Sequence, residues 1–195
     1  GLFERKENYR WIIDPLDGTR NYTKGLPVFA VSVAVEFNGE LLAGAVYDPV
    51  KRELFWAEKG KGAYMNHERI RVSSTEKISE ALIGTGFPFK AKDYIDVYLK
   101  SFKEVFLAVS GIRRLGAASL DLCYTARGIF DGFWELFLSP WDVAAGALII
   151  KEAGGIVTDI WGKDEYIKNG HIVGGNPYIY SQLQKILENS LKDLK

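Results

Sequence analysis

The sequence is poor in the residues that build covalent frameworks and imidazole sites. It has one cysteine, Cys123, and two histidines, His67 and His171, in 195 residues. One cysteine cannot make a disulfide framework, which suits a reducing cytoplasmic location. Two histidines so far apart argue against a histidine-based zinc site. An excess of charge of one sign is also missing: Lys plus Arg is 25, Asp plus Glu is 25, and the formal net charge is zero. Such a chain has no bulk attraction to nucleic acid or to a membrane surface. No apolar run reads as a transmembrane helix, and no basic-then-apolar start reads as a signal peptide. There is no internal repeat, low-complexity segment or linker.

What the chain does have is apolar bulk. Hydrophobic residues make up 47% and aromatics 13%, enough for one compact domain or one with two sub-regions. The stretch 28–37 has the β-branched and aromatic content of a strand. Asn38-Gly39 then signals a type I′ hairpin, and 40–49 is the return strand. A further strand, a glycine-rich turn and a short strand follow, so the first eighty residues read as an antiparallel meander. Beyond them, 81–87 reads as a short buried strand. The segment 92–111 has helical apolar spacing with Gly111 as its C-cap, and 117–128 is a second helix with Gly128 in that role. Residues 130–137 are strand-like. Ser139 and Pro140 open a helix that stops at Gly154-Gly155, and two strands follow it. Asn176 and Pro177 start a terminal helix. The fold class is mixed α/β (α+β). Residues 1–80 form a β-rich half, residues 81–195 an α/β half, and together they form one catalytic unit.

The chemistry starts at Trp-Ile-Ile-Asp-Pro-Leu-Asp-Gly-Thr, residues 11–19. Asp14 and Asp17 stand close together at the end of an apolar strand, where each carboxylate raises the cost of the other. A divalent cation removes that cost. Mg²⁺ takes hard oxygen ligands, and Asp14, Asp17 and the Leu16 carbonyl can supply them. Gly18 lets an anion approach the backbone, and the N–H groups of Gly18 and Thr19 can receive a phosphate. Thr19 adds a hydroxyl. A bare Asp-Pro-x-Asp is ordinary turn chemistry. The Gly-Thr directly after it favours the site. The spacing is neither the Asp-x-Asp-Gly-Thr of haloacid-dehalogenase-like phosphatases nor the alternating acids of a calcium loop. No covalent aspartyl-phosphate mechanism follows. Asp142 lies beside the start of the helix that Ser139 opens. Taken alone it reads as a helix cap. The other reading is a further ligand arriving from the far end of the chain, with Ala144, Ala145 and Gly146 allowing close packing; the spacing alone does not decide between them.

Together the two stretches resemble the inositol monophosphatase family of Mg²⁺-dependent, lithium-sensitive phosphatases, which includes fructose-1,6-bisphosphatase and 3′-phosphoadenosine nucleotide phosphatases. The likeness runs from about Trp11 to Asn176. It implies a layered αβαβα sandwich and a homodimer. It implies two or three Mg²⁺ ions, with Mn²⁺ as a substitute, on Asp14, the Leu16 carbonyl, Asp17 and Asp142. It assigns Asp14, Asp17 and Thr19 to catalysis by an activated water. Gly18, Thr19, Arg113, Ala118 and Glu135 match substrate-contacting positions. Glu135 also reads as a solvated strand-end acid, and Arg113 as a surface arginine. Cys123, mid-helix among apolar residues, reads as core packing.

Two departures from the family pattern stand out. The family takes a further glutamate from a Gly-Glu-Glu stretch upstream, and it opens with two helices. Neither is in this chain; Glu4 and Glu7 sit too close to Asp14. The chain also begins at Gly1 rather than Met. The expectation is a chain lacking an N-terminal portion, with an incomplete first metal site. The second departure is Phe137-Leu138-Ser139, where efficient fructose-bisphosphatases often carry an arginine. This favours a small polyol or sugar monophosphate such as inositol 1-phosphate. Fructose bisphosphate, a nucleotide 3′-phosphate and a non-catalytic partner-binding role are the alternatives.

Overall fold

β-Branched and aromatic residues build the first sheet, with burial alternating along its strands. β1 (Tyr9–Asp17), β2 (Ala30–Phe37), β3 (Glu40–Asp48), β4 (Glu53–Glu58), β5 (Gly62–Met65) and β6 (Glu68–Ile70) pair antiparallel in chain order. Asn38 and Gly39 make the β2–β3 hairpin with φ of 53° and 87°, as a type I′ turn requires. The structure, a computed structural model, describes residues 8–194. Glu4 and Glu7, and any segment they belong to, lie outside the described residues.

The second sheet is mixed. β7 (Leu82–Thr85) pairs parallel with β8 (Gly111–Arg113) and with β9 (Gly132–Glu135). β11 (Ile172–Gly175) joins β9 antiparallel, and β10 (Ile156–Thr158) completes the order β10-β11-β9-β7-β8.

Helices fill the layers. α3 (Ala118–Ala126) and α4 (Pro140–Glu152) lie between the sheets; every residue of α3 and residues 142–150 of α4 are buried, most of them apolar. α2 (Ile95–Ala108) and α6 (Pro177–Ser190) cover the far face of the second sheet, where Ile83, Trp134 and Val173 meet Leu183 and Leu187. Two short helices remain: α1 (Thr19–Thr23), too short to show a period in sequence, and α5 (Tyr166–Asn169). The described residues thus stack as sheet, helix pair, sheet, helix pair, in agreement with the expected α+β sandwich. On the outer face of β1, Tyr9, Trp11 and Ile13 are exposed.

Two local expectations change. α2 ends at Ala108, and Gly111 does not cap it. The chain turns at once into the second sheet: the Ser110 N–H donates to the Ala81 carbonyl and Gly111 opens β8. The pairing of β8 with β7 decides the boundary that helical spacing overran. The opening acids also differ in setting. β1 does not stop before Pro15 but runs through it to Asp17. Proline is tolerated there because β1 is an edge strand and Pro15 sits in a bulge.

The α3–α4 contact is close. A Cβ on Gly146 of α4 would lie 2.5 Å from the Leu122 Cβ on α3. Gly146→Ala gains about 1 kcal/mol of helix propensity but overpacks at a cost of about 1–3 kcal/mol. Because the clash is against a Cβ rather than a flexible tip, a net loss of about 1 kcal/mol is expected. A lowered urea midpoint is the check; a raised midpoint would show that the helices part freely.

Candidate metal centre

A regular strand points residues three apart to opposite faces. The bulge in β1 corrects this. Asp14 pairs with Ser32 and Asp17 with Ala30, so three steps along β1 match two along β2. Ser32 and Ala30 share one face, and Asp14 and Asp17 therefore share it too. Asp14 Oδ1 accepts from the Leu16 N–H at 3.0 Å, and the Thr19 hydroxyl donates to the Leu16 carbonyl at 2.8 Å. Gly18 caps α1 with φ of 79°, and a Cβ there would press on the Val28 carbonyl at 2.8 Å. The Asn21 amide holds α1 in place by donating to the carbonyls of Val28 and Leu115.

Asp142 arrives from α4. Its Oδ2 accepts from the Ser139 N–H at 2.8 Å, so it is a helix cap as well. That bond uses only one of its two oxygens. Carboxylate oxygens of Asp14, Asp17 and Asp142 lie within 4.8 Å of one another. Asp17 is clamped from the start of α3: Ser119 donates its N–H at 2.8 Å and its hydroxyl at 2.6 Å to Asp17 Oδ2. Burial nonetheless pushes the Asp17 carboxyl up to about 6; the Ser119 bonds oppose this, and Asp142 and Asp14 add to it. Asp14 is also raised, by burial first and then by Asp142, against its Leu16 bond. Three carboxyl groups with oxygens this close together suit a hard divalent cation, and Mg²⁺ or Mn²⁺ fits this all-oxygen donor set.

A cavity of about 280 Å³ adjoins the aspartates and is lined by Asp17, Asp142, Ala118, Glu135, Arg114 and Lys90. Gly18 and Thr19 line a neighbouring hollow with Asp14 and Leu16. Glu135, at the end of β9, packs its carboxyl over Gly86, where a Cβ would collide with it. Desolvation pushes Glu135 up to about 8, against the pull of Arg114 and with the push of Asp17 and Asp142.

Arg113 stands apart from these residues. It is exposed on β8, donates to the Ile112 carbonyl and lines neither hollow, whereas its neighbour Arg114 lines both. Sequence reasoning missed Arg114, Ser119 and Lys90. Lys90 Nζ is 3.3 Å from Asp142 Oδ2 and 3.3 Å from the Ser139 hydroxyl. Only Ser119 left a trace in the sequence, as a hydroxyl beside small residues at a helix start. Cys123 is fully buried in the core, His67 is exposed, and His171 Nδ1 accepts from the Phe137 N–H.

A model of the inositol monophosphatase family matches residues 2–192. The chain belongs to the inositol monophosphatase family. Among its relatives, the Nus factor SuhB of Pseudomonas aeruginosa is 48% identical over 94% of this chain and 69% of its own length. An inositol-1-monophosphatase of Mesorhizobium japonicum is 46% identical over 94% of this chain and 69% of its own length. The solved inositol monophosphatase of Anabaena superposes with a TM-score of 0.92 at 39% identity, covering 96% of this chain and 75% of its own. The family is Mg²⁺-dependent in general. No helix among the described residues is long and apolar enough to cross a membrane.

Two outcomes test this geometry. Ser119→Ala removes one of the two bonds that aim Asp17, and loss of such an outer partner is expected to weaken Mg²⁺ binding by about 10–100-fold. Calorimetric titration checks it; unchanged affinity would mean that Asp17 needs no clamp. Glu135 carries a pH signature. The unfolded carboxyl ionises near 4.5 and the folded one near 8. Between them the native state holds a proton that the unfolded chain has released, so this group's contribution is full below the lower value and lost as pH rises through the upper. Glu135→Gln is therefore expected to gain stability relative to the parent between pH 5 and 8 and to level off above. Urea midpoints across that range test it; a constant gap would refute the buried setting.

Proposed function

We propose that this protein hydrolyses the phosphate ester of a small polyol or sugar monophosphate in a Mg²⁺-dependent reaction, with inositol 1-phosphate as the leading substrate. The observation that carries this is the meeting of Asp14, Asp17 and Asp142, from opposite halves of the chain, beside a cavity bearing Glu135 and Arg114. In this reading Asp14, the Leu16 carbonyl, Asp17 and Asp142 hold the cations. Bound cations supply a water of lowered pKa and neutralise charge on the ester oxygens.

The chain's own residues do the rest. The Thr19 hydroxyl donates its hydrogen bond to the Leu16 carbonyl, which leaves its lone pairs to accept a hydrogen bond from a water aligned on phosphorus. The N–H groups of Gly18 and Thr19 face the phosphate. Ala118 contributes backbone to the substrate wall, and Glu135 receives substrate hydroxyls. The water releases one proton to solvent as its oxygen bonds to phosphorus, the bond to the alkoxide oxygen breaks, and the alkoxide leaves with a proton from solvent. No nucleophilic side chain is used. Lithium inhibition, a homodimer and a cytoplasmic location belong to the same reading and rest on the family. The apolar Phe137-Leu138 before Ser139 supports a monophosphate over fructose bisphosphate.

A second reading has its own support, since several relatives carry the name Nus factor. In it the fold also serves a protein partner.

Phosphate release from inositol 1-phosphate with Mg²⁺, with and without Li⁺, decides. Asp17→Asn is expected to cut turnover at least about 100-fold, because a lost ligand forfeits several kcal/mol of charge stabilisation. Turnover unchanged in that variant would end the phosphatase reading. Mg²⁺ binding without turnover of any monophosphate would favour the partner role.

A further inference from the structure

The buried aspartates of the described residues have hydrogen-bond partners, with one exception. Asp17 has Ser119, Asp48 has the N–H groups of Val50 and Lys51, and Asp142 has Ser139. Asp131 has Ser73 and Leu82, and Asp159 has Trp161, Lys163 and Asn169. Asp121 is different. It is 1% exposed, on the first turn of a helix held between two sheets, and its Oδ1 has no partner. Neither of its oxygens accepts a hydrogen bond among the described residues. Burying a carboxyl in that condition costs stability. The fold gains nothing visible from it.

Its position supplies a reason. Asp121 lines the cavity shared by Glu135, Arg114 and Asp17, so the unpartnered carboxyl borders the place where a ligand would sit. Its charged neighbours are Glu135, Asp17 and Arg114. An anionic ligand group is repelled by three acids there. A cationic one would crowd the Arg114 guanidinium. A neutral hydroxyl both donates and accepts, so it can satisfy the two carboxyls and the guanidinium together without adding charge.

We propose that Asp121 is a specificity-determining residue, which with Glu135 forms a carboxyl pair that reads hydroxyl groups on the polyol half of the substrate. This rests on the phosphatase reading only for where the phosphate half lies. The residue contributes to choice among ligands and takes no part in bond cleavage.

The test is calorimetric binding, with Mg²⁺ present, of two probes: inositol 1-phosphonate, which has no ester to hydrolyse, and methylphosphonate, which has no hydroxyls. Asp121→Leu is expected to weaken the first by about 10-fold or more, the loss of one buried hydrogen bond, and to leave the second within about 2-fold. Its thermal midpoint should equal or exceed the parent's, because an unsatisfied acid has gone. Asp121→Ala, as a second variant, should show the same ligand pattern. Equal weakening of both probes, no weakening of either, or a midpoint lowered by many degrees in both variants would overturn the proposal and make Asp121 a packing residue. A parent that prefers the inositol probe through Asp121 but hydrolyses no monophosphate would sink the phosphatase reading alone. Turnover combined with indifference to Asp121 would sink this inference alone.

Discussion

Repulsion among Asp14, Asp17 and Asp142 is the constraint around which the site is arranged. Left to solvent, the three would drift apart. The fold prevents this with three separate fixings: the bulge that turns Asp14 and Asp17 to one face, the Ser119 clamp on Asp17, and the Ser139 bond to Asp142. Each fixing is also an ordinary structural device. An edge strand accepts a bulge and a proline readily, and a helix start offers spare N–H groups. The site is built from the chain's own terminations, where polar backbone groups are free to be used.

Those terminations meet because the helix pair between the sheets is packed without slack. α3 carries Ser119 and Asp121, and α4 carries Asp142. Gly44 of β3 closes against the Ala145 backbone, and Gly146 against Leu122. With almost no side chain at these points, the helices lie close to each other and to the first sheet. A small movement of either helix would change the spacing of the acids directly. The small residues after Asp142 therefore act on the chemistry through distance, although none of them lines the cavity.

Much of this was open to a reader of the sequence. β-Branched and aromatic content and Asn38-Gly39 gave the first sheet because strand propensity and a type I′ turn are local properties. Asp14 and Asp17 could be singled out because paired acids followed at once by Gly-Thr exceed ordinary turn chemistry, whereas Asp142 looked like a helix cap and was picked out only through the family resemblance. The bulge could not be read, since it is a property of pairing with β2 and not of Pro15-Leu16 alone. The start of β8 at Gly111 was hidden for a similar reason: a strand of three residues exists only by its partner β7. Lys90, Arg114 and Asp121 carry no signal in their neighbours. They become visible when loops and helices far apart in the chain surround one cavity. Arg113 and Arg114 show the limit: the first ends β8 and the second follows it into the loop, and only the second lines the cavity, a difference that two adjacent arginines do not reveal in sequence.

The charges around that cavity are graded by depth. Asp17, Asp121 and Asp142 are buried and Glu135 is half-buried, while Arg20 and Arg114 are exposed and Lys90 reaches in from the loop after β7. The basic side chains are steadied by aromatic faces: the Arg114 guanidinium lies 5.3 Å from the Phe89 ring centre and 6.0 Å from that of Phe87, and Arg20 lies 5.9 Å from Phe89. An approaching phosphate ester therefore meets positive charge first, and field lines from that rim draw it inward. At the floor the sign reverses. A phosphate cannot settle among acids unless cations stand between, so on the proposed reading the anionic end of a substrate is directed to the aspartate trio and its neutral end to Glu135 and Asp121. A chain with zero net charge thus separates its charges over a few residues, and in that reading the separation favours one orientation of a small asymmetric ester.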